Sequence, residues 1–428
     1  MKIRNSRLVI CETSVRENFY PLTYTKLAAD LILGTESLLR KIERKVSSSP
    51  SDLFVPKYLE SVTKEIHPNS KINEQVSGRC VLVNSLISPT QDIWRFMDNA
   101  LNDSSETLFH DSSGNLVFGQ LDGASPSLAR SIVRSKNPKI QFKQIPDDLI
   151  NGGLLRYPWD LLSRNSEEIS SEFLEKQPAV VSEKSSRFEV RGDKTVVPDS
   201  SDIERFVTID SRRGPVIIGD NVQIQSFSHL SGPCFIGSGT KVKSAKIREG
   251  TSIGPNCRVS GEIEESIISE FSNKSHDGFL GHSVLGSWVN LGALTTNSNL
   301  KNTYGEIKSN LGRKSVGTGL MKFGAIFGDM AKTAIGTLVM AGRKIGVSSQ
   351  IFGVTAEDVP SFTMYAKSLG AKSSEIRFES SIMTQRRMME RRGLSMSPSR
   401  EALIRSVYKM TQSERAFQRV AKSRFKLL

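Results

Sequence analysis

The sequence predicts three successive parts: a mixed α/β domain, a parallel β-helix built from hexapeptide repeats, and a helical, basic C-terminal extension. Strand-like and helix-like apolar patterns alternate at first, aliphatic residues then recur every six positions, and basic charge is concentrated near the end. We predict an α/β domain over 1–175, a linker over 176–205, the β-helix over 206–358 and the extension over 359–428.

The first part alternates between two kinds of apolar pattern. The runs "RLVIC" and "RCVLVNSLI" are short and apolar, which is typical of buried strands. The runs "AADLILGTESLLRKIERK" and "TQDIWRFMDNAL" carry apolar residues at helical spacing. Such alternation predicts a sheet covered by helices. From about residue 164 to 200 a polar helix is expected to give way to the linker.

The second part carries the strongest pattern. One aliphatic position recurs with a period of six, with one slip of phase and one threonine, at Ile218, Ile224, Leu230, Ile236, Val242, Ile247, Ile253 and Val259, then at Phe327, Thr333, Val339, Ile345 and Ile351. This period fits neither a helix nor a plain strand, and predicts short strands and turns that coil into a triangular prism with these side chains inside. The rhythm is broken between Val259 and Leu285, where we expect a loop to project.

The third part is predicted to be helical. The run "SREALIRSVYKMTQSERAFQRVAKSRFKLL" has Ser399 as an N-cap and an apolar stripe at Leu403, Ile404, Val407, Phe417 and Val420. The preceding "MTQRRMMERRGLSMSPS" is polar and rich in methionine, and we expect it to be mobile. Residues 372–428 contain fourteen Lys or Arg and five Glu, so this segment holds most of the net charge of +13. It either binds an acidic partner, nucleic acid or an anionic surface, or is simply a solvated face.

The cysteines and the hydropathy of the sequence indicate the cellular compartment. Cys11, Cys80, Cys234 and Cys257 show no C-x-x-C spacing, which argues against a disulfide framework or a zinc site and suits a reducing compartment. No uncharged run reaches membrane-spanning length, and the N-terminus lacks the apolar core of a signal peptide. We therefore expect a cytoplasmic protein without a membrane span.

Several stretches resemble GlmU-type sugar-nucleotide enzymes, more narrowly a divergent branch in which a shortened nucleotidyltransferase domain precedes a left-handed β-helix acyltransferase domain. The similar stretches are "NFYPLTYTKLAADLILGTESLLRK" (18–41), "YPWDLLSRNSEEISSEF" (157–173), "TIDSRRGPVIIGDNVQI" (208–224), "SNKSHDGFLGHSVLGSWVNLGALTTNSNLKNTYGEIK" (272–308) and "GTGLMKFGAIFGDMAKTAIGT" (317–337). The resemblance implies left-handedness, a homotrimer with sites between neighbouring prisms, acetyl-CoA as acyl donor, and sugar phosphate and nucleotide substrates. The basic extension lies outside it.

Acetyl transfer from a thioester to a sugar amine needs a base for the amine proton and donors for the oxyanion. The resemblance places His276 as that base, Asn290 at the sugar phosphate, and Ala293 and Asn299 at acetyl-CoA. His276 could instead be a solvated turn residue, and His282 is expected to be structural or solvent-facing.

The pattern also departs from the family at two positions. Phe279 stands where bifunctional GlmU has a tyrosine, and Glu264 stands where it has a phosphate-binding lysine. Other cations would then hold the phosphate, and the nearby candidates are Lys274, Lys301, Lys308 and Arg248. These departures leave open whether glucosamine 1-phosphate is the acceptor.

The candidate nucleotide site is eroded. Sugar nucleotidyltransferases cradle the triphosphate in a glycine-rich loop after the first strand, but "CETSVRENFYPLTYTK" contains no glycine. The resemblance leaves Arg16, Thr23 and Lys26 as candidate nucleotide-binding residues. Where an aspartate for Mg²⁺ is expected after the middle strand, Asn84 is the nearest polar residue. Active transfer with Mg²⁺ and an inactive domain both remain open.

Three hypotheses follow. The chain is an enzyme that acetylates an amino-sugar 1-phosphate and joins the product to UTP; or it is an acyltransferase whose N-terminal domain is a scaffold; or it is a trimeric solenoid that binds an acidic partner through its basic extensions.

Overall fold

The computed structural model describes residues 6–46, 50–88, 91–101, 105–126, 140–180, 187–423 and 425. Its first part is an α/β domain. The strands are β1 Arg7–Cys11, β2 Ile32–Leu33, β3 Glu36–Ser37, β4 Asp52–Phe54, β5 Val76–Asn84, β6 Thr107–His110, β7 Leu116–Ala124 and β8 Gln141–Gln144. The helices are α1 Leu38–Val46, α2 Glu60–Ile66, α3 Gln91–Ala100, α4 Asp147–Gly153 and α5 Pro158–Lys176, with 3₁₀ turns at Ser14–Phe19, Ala28–Asp30 and Lys57–Leu59.

The main sheet of this domain is mixed, in the order β4-β1-β5-β7-β6-β8. Strand β1 pairs in parallel with β4 and β5, and β7 runs antiparallel to β5 and β6. The central strands are apolar on both faces because the faces are covered, and Val9, Leu82 and Val83 are fully buried. The predicted strand "RLVIC" is β1.

The helix predicted over "AADLILGTESLLRKIERK" is wrong in its first half. Only α1 is α-helical, and the hairpin β2–β3 precedes it. Gly34 explains the difference, since its φ is +70° and a Cβ there would meet the Glu172 carboxylate at 2.5 Å. The close approach of α5 therefore requires a turn where local spacing favours a helix.

The second part is a parallel β-helix. Its strands are β9 Glu189–Arg191, β10 Thr195–Val196, β11 Asp202–Ile203, β12 Thr208–Asp210, β13 Val216–Ile218, β14 Gln223–Ile224, β15 His229–Ser231, β16 Cys234–Ile236, β17 Lys241–Ile247, β18 Thr251–Ile253, β19 Arg258–Glu264, β20 Ile267–Ile268, β21 Asn273–Lys274, β22 Phe279–Gly281, β23 Val284–Leu285, β24 Thr296–Asn297, β25 Lys308–Leu311, β26 Lys314–Gly317, β27 Ala325–Phe327, β28 Lys332–Thr333, β29 Leu338–Val339, β30 Arg343–Ile345, β31 Gln350–Ile351, β32 Val354–Thr355 and β33 Thr363–Tyr365. After them, β34 Ser374–Glu375 pairs antiparallel with β33.

The six-residue pattern predicts the interior of this solenoid correctly. Every predicted inward position, from Ile218 to Val259 and from Phe327 to Ile351, is buried. One face is the continuous parallel sheet β10-β13-β16-β18-β20-β23-β27-β30. The predicted class, an α/β nucleotidyltransferase-like domain followed by a left-handed parallel β-helix and a helical C-terminal segment, is confirmed.

The expected loop between Val259 and Leu285 is wrong. The coils continue there, because β21 and β22 pair in register with β19. The rhythm looks broken for two reasons. The inward position of β21 is occupied by Lys274 instead of an aliphatic residue, and the inward residues Val259, Ile263 and Ile268 are separated by four and five positions instead of six. The segment that leaves the coil is 298–322, which carries the antiparallel hairpin β25–β26.

The C-terminal segment folds back onto both preceding parts. Its helices are α6 Phe378–Glu390, α7 Pro398–Met410 and α8 Gln412–Phe417, after a 3₁₀ turn at Lys367–Leu369. The first half of the segment expected to be mobile lies in α6, whose Met389 is buried in the main core. The N-cap of α7 is Ser397 rather than Ser399, because the Ser397 hydroxyl accepts the Arg400 N–H.

The predicted stripe of the third part is only partly buried. Leu403, Ile404 and Val407 join the main core, whereas Phe417 is exposed. No helix among the described residues combines the length and apolar character needed to cross a bilayer.

Contacts between distant residues join the parts. The Asn165 amide of α5 donates to Gly250 O and Ser252 Oγ of the β-helix, at 2.9 Å each. The Tyr24 hydroxyl donates to the Glu414 carboxylate of α8 at 2.5 Å. The α/β domain, the solenoid and the C-terminal helices therefore share packed interfaces.

Candidate functional site

The predicted site residues lie on two neighbouring coils. Asn273 bridges in parallel to Asn290, and Leu294 N donates to Asp277 O at 2.9 Å. This register, in which stacked residues are seventeen apart, places the backbone of His276 beside that of Ala293. Stacked strands lie about 4.8 Å apart. The structure thus brings together His276, Asn290 and Ala293, which the resemblance had named separately.

His276 is exposed on the turn that follows β21. The turn is tightly stacked on the next coil, since a Cβ on Gly278 would lie 2.2 Å from Thr295 O. Gly278 has a φ of +128°, which favours glycine at this point. An exposed imidazole on a rigid turn is accessible to a substrate.

Lys274 holds this turn from the inside. Its ammonium group donates to Ser260 O at 2.9 Å and to His276 O at 3.0 Å, and the residue is 3% exposed. Burial lowers the pKa of Lys274 to about 8. Lys274 is one of the candidate phosphate ligands, but its ammonium group contacts the backbone carbonyls of Ser260 and His276.

Asn290 belongs to a row of hydrogen-bonded side chains on the outer face. Asn273 Nδ2 donates to Asn290 Oδ1 at 3.3 Å, and Arg392 Nη2 donates to Asn273 Oδ1 at 2.8 Å. Within the described residues, Asn290 Nδ2 makes no hydrogen bond. Its two N–H donors are therefore available to a ligand.

Asn299 is oriented by His282. The imidazole Nδ1 of His282 accepts from Asn299 Nδ2 at 2.9 Å, and its Nε2 lies 3.2 Å from Glu265 Oε2. This geometry assigns the Nε2–H tautomer, with the proton donated to Glu265. The hydrogen bond from His282 lowers the pKa of Glu265.

The expectation for His282 was a structural or solvent-facing residue, with no link to Asn299. The two residues are seventeen apart, the spacing that also relates Asn273 to Asn290. That spacing between stacked residues is the signal that would have found the pair.

Glu264, Glu265 and His282 place ligand atoms within 4.8 Å of one another, as a metal site would. However, Glu264 also lies 3.8 Å from the ammonium group of Lys322. A cation already faces the carboxylate that replaces the family's lysine.

The other proposed phosphate ligands lie elsewhere. Arg248 Nε donates to Glu262 Oε1 at 2.6 Å, and the Lys301 ammonium group donates to Glu306 O. Lys308 is exposed in the hairpin β25–β26. The structure gives none of these three a contact with His276, Asn290 or Asn299.

The candidate nucleotide loop is closed on itself. The Arg16 guanidinium bonds to Glu12, Tyr20 and Tyr58 and to the carbonyls of Thr23 and Lys26, and is 3% exposed. Burial alone would lower the pKa of Arg16, but Glu12 and the two tyrosines raise it. The Thr23 hydroxyl donates back to Arg16 O at 2.7 Å.

Lys26 faces the β-helix rather than an open cleft. Its ammonium group donates to the Ser287 hydroxyl, and lies 3.4 Å from Asp329 and 3.9 Å from Glu270. Burial would lower the pKa of Lys26, but these two carboxylates raise it. The three nucleotide candidates therefore bind protein groups in this structure.

Asn84 does not fit a Mg²⁺ site. Its Nδ2 donates to Thr13 Oγ1 at 3.2 Å and to Leu116 O at 2.6 Å, while its Oδ1 accepts from Leu86 N at 2.9 Å. The side chain is fully buried. Since its amide is already engaged with protein groups, we assign no step to Mg²⁺ here.

These features define a class: a nucleotidyltransferase-like domain joined to a left-handed parallel β-helix of the acyltransferase type. Residues 8–177 match the family model described as "Sugar nucleotidyl transferase". The chain is 36% identical over 94 residues to the bifunctional sugar-1-phosphate nucleotidylyltransferase/acetyltransferase of Sulfurisphaera tokodaii, covering 22% of this chain and 23% of that one. It is 30% identical over 284 residues to the bifunctional protein GlmU of Methanococcus vannielii, covering 63% and 60%.

The resemblance to GlmU-type proteins is thereby confirmed. The chain spans less than two thirds of the length of the curated relatives it matches. Among solved structures, the UDP-N-acetylglucosamine acyltransferase from Campylobacter jejuni aligns over 53% of this chain and 85% of that one, at 14% identity and a TM-score of 0.29.

Proposed function

We propose that the chain is an acetyl-CoA-dependent N-acyltransferase that acts on an amino-sugar 1-phosphate, with glucosamine 1-phosphate as the acceptor. The observation that carries the proposal is the stacking of the exposed His276 turn beside Ala293 and Asn290 on the next coil. The similarity to bifunctional nucleotidylyltransferase/acetyltransferases supports the same class of reaction.

In this proposal His276 is the general base. The sugar amine attacks the thioester carbonyl carbon, and the imidazole of His276 accepts the proton that the amine loses. The carbon–sulfur bond then breaks, the acetyl group stays on the nitrogen, and the thiolate of CoA leaves and is protonated. Asn290 contacts the sugar phosphate, and the backbone of Ala293 contacts the acyl donor.

The neighbouring residues act by positioning. Lys274 anchors the carbonyl of His276, so the imidazole starts from a fixed backbone. His282 and Glu265 hold the Asn299 amide in one orientation, at the position proposed to lie beside the thioester. Pre-positioned groups of this kind lower the entropic part of the barrier.

The test is acetyl-CoA turnover with glucosamine 1-phosphate, which is measured as the release of free CoA thiol. We expect His276→Ala to lower kcat by roughly 100-fold or more while the protein stays folded, because a positioned base contributes about that factor. His229→Ala is the matched control, since His229 is exposed on β15 of the same solenoid. Equal rates in the two variants, or no turnover by the wild type, would refute the assignment.

A second candidate function concerns the α/β domain, and the closed loop favours its role as a scaffold over UTP-dependent transfer. Arg16, Thr23 and Lys26 are all engaged by protein groups, and Asn84 replaces the expected acidic ligand. We expect no pyrophosphate release from UTP and N-acetylglucosamine 1-phosphate with Mg²⁺ present. Steady release at a rate that matches acetyl transfer would restore the bifunctional hypothesis.

The assembly and location also belong to this proposal. A homotrimer would place the His276 turn of one chain beside a neighbouring prism, and a sedimentation mass of three chains would support it. Cytoplasmic location agrees with the four cysteines, which are all buried and free.

A further inference from the structure

Two arginines, Arg258 and Arg392, lie next to the Asn273–Asn290 pair. Arg258 stacks directly on Asn273 in the parallel register of β19 and β21. Arg392, which follows α6, donates to Asn273 Oδ1 at 2.8 Å. The three residues and Asn290 thus form one polar cluster, which we call the arginine–asparagine cluster.

This cluster lacks a matching carboxylate. Neither arginine forms an ion pair with any described residue, and Arg258 Nε is buried without a hydrogen-bond partner. Burial lowers the pKa of Arg392, and the nearby charge of Arg258 lowers it further. Two positive charges that lie near each other in a partly buried site repel and are poorly solvated, which costs free energy. An anion bound between Arg258 and Arg392 would offset that cost.

The position of Arg392 is set by the packing of α6. Phe378, Ile382 and Met389 of this helix are buried in the main core, and Gln385 Nε2 donates to Ser348 Oγ at 2.6 Å. The chain then turns at Gly393, whose φ is +69°. Arg392 is therefore held at the solenoid by a fixed helix.

The chemistry that fits the cluster is a phosphate group. Arginine presents paired N–H donors that match phosphate oxygens, and the free Asn290 N–H donors lie at the next rung of the same row. Glu264, which replaces the family's lysine, is a carboxylate and cannot attract such an anion. Arg258 and Arg392 can supply the positive charge that is absent at position 264.

We propose that Arg258 and Arg392 bind the phosphate of the acceptor sugar, so that the C-terminal segment completes the acceptor site and selects phosphorylated substrates. Asn273 is a positioning residue, which links Arg392 to Asn290. This inference rests on the proposed function, but it is tested by binding alone.

The test is the affinity of the full-length protein for glucosamine 1-phosphate and for glucosamine, measured by calorimetry. We expect Arg392→Ala to weaken glucosamine 1-phosphate binding by about 10-fold or more, because it removes a charge-assisted contact. Binding of glucosamine should not change. Arg391→Ala is the matched control, since Arg391 is the adjacent exposed arginine and makes no bond to the Asn273 row.

A second variant tests the same proposal in case Arg392→Ala does not fold. Arg258→Gln breaks no hydrogen bond at Nε, so it should keep the fold and show the same selective loss. Arg392→Lys should restore part of the affinity. Equal affinities in Arg392→Ala and Arg391→Ala, or an equal loss for glucosamine, would overturn the proposal, as would failure of the wild type to bind glucosamine 1-phosphate.

The phosphates of coenzyme A are the other source of the same chemistry. Titration with CoA separates the two, because a loss confined to CoA would overturn the acceptor assignment. Turnover is a separate readout. If His276→Ala keeps full activity while Arg392→Ala loses phosphate binding, the phosphate role of the cluster is supported and His276 is not the base. If His276→Ala loses activity while Arg392→Ala keeps phosphate binding, only the phosphate role of the cluster is refuted.

Discussion

At the scale of single residues, Lys274 has an unusual position. It occupies an inward position of the solenoid, between Val259 on one coil and Leu291 on the next. A buried lysine is costly unless its donors are used, and here two carbonyls accept from it. One of these carbonyls belongs to His276. The buried lysine therefore fixes the backbone of the candidate base.

Lys274→Met should change how stability depends on pH. With its pKa lowered to about 8, the native Lys274 loses its proton at a lower pH than in the unfolded chain. The unfolded state then binds more protons above pH 8, so this residue makes the wild type more stable as pH rises towards 10.5. Relative to the variant, we expect a gain on the order of 3 kcal/mol in the free energy of unfolding.

Urea denaturation between pH 7 and pH 10.5 measures this difference. Lys246→Met, at an exposed lysine of β17, serves as the control and should run parallel to the wild type. If the free energies of unfolding of the wild type and of Lys274→Met differ by a constant amount across this pH range, burial does not lower the pKa of Lys274.

At the scale of elements, the coil register creates the site. Stacking pairs Asn273 with Asn290 and His282 with Asn299, although no local pattern joins them. Thr333, the one polar residue in the predicted aliphatic series, also has a reason at this scale. Its hydroxyl accepts from Gly292 N at 2.8 Å and bonds to Thr295 Oγ1 at 2.6 Å, so it closes the turn that carries Ala293.

The helices show what local pattern alone misses. Residues 383–399, which begin within α6, are polar and rich in Met, and this composition favours a mobile segment. Helix α6 is ordered because Ile382 and Met389 pack against a core supplied by distant parts of the chain. Tertiary packing, rather than propensity, stabilises such a helix.

At the scale of the whole molecule, Lys26 ties the α/β domain to the solenoid. Its ammonium group lies between Asp329 and Glu270, and Asp329 also accepts from Thr25 Oγ1 at 2.7 Å. Burial raises the pKa of Asp329 despite the nearby lysine charge. Of the three candidate nucleotide-binding residues, Lys26 therefore serves an interface with the solenoid, which agrees with the proposed scaffold role.

Lys26→Met should destabilise the protein by roughly 3 kcal/mol, because it leaves the buried Asp329 carboxylate without its cation. Urea unfolding followed by tryptophan fluorescence measures the change. Lys64→Met is the matched control, since Lys64 forms an exposed ion pair with Glu60, which typically contributes less than about 1 kcal/mol. Equal midpoints for the two variants would mean that the interface does not depend on Lys26.

The sequence by itself determined the solenoid, because a six-residue period repeats a local rule at every coil and needs no knowledge of distant contacts. It also determined the α/β start and, through the resemblance, His276 as the candidate base. Only the tertiary structure decided that Lys274 points inward, that Arg392 reaches Asn273 and that Lys26 faces Asp329. The last two contacts join residues 119 and 303 positions apart, and chain spacing carries no information about which distant groups packing will bring together.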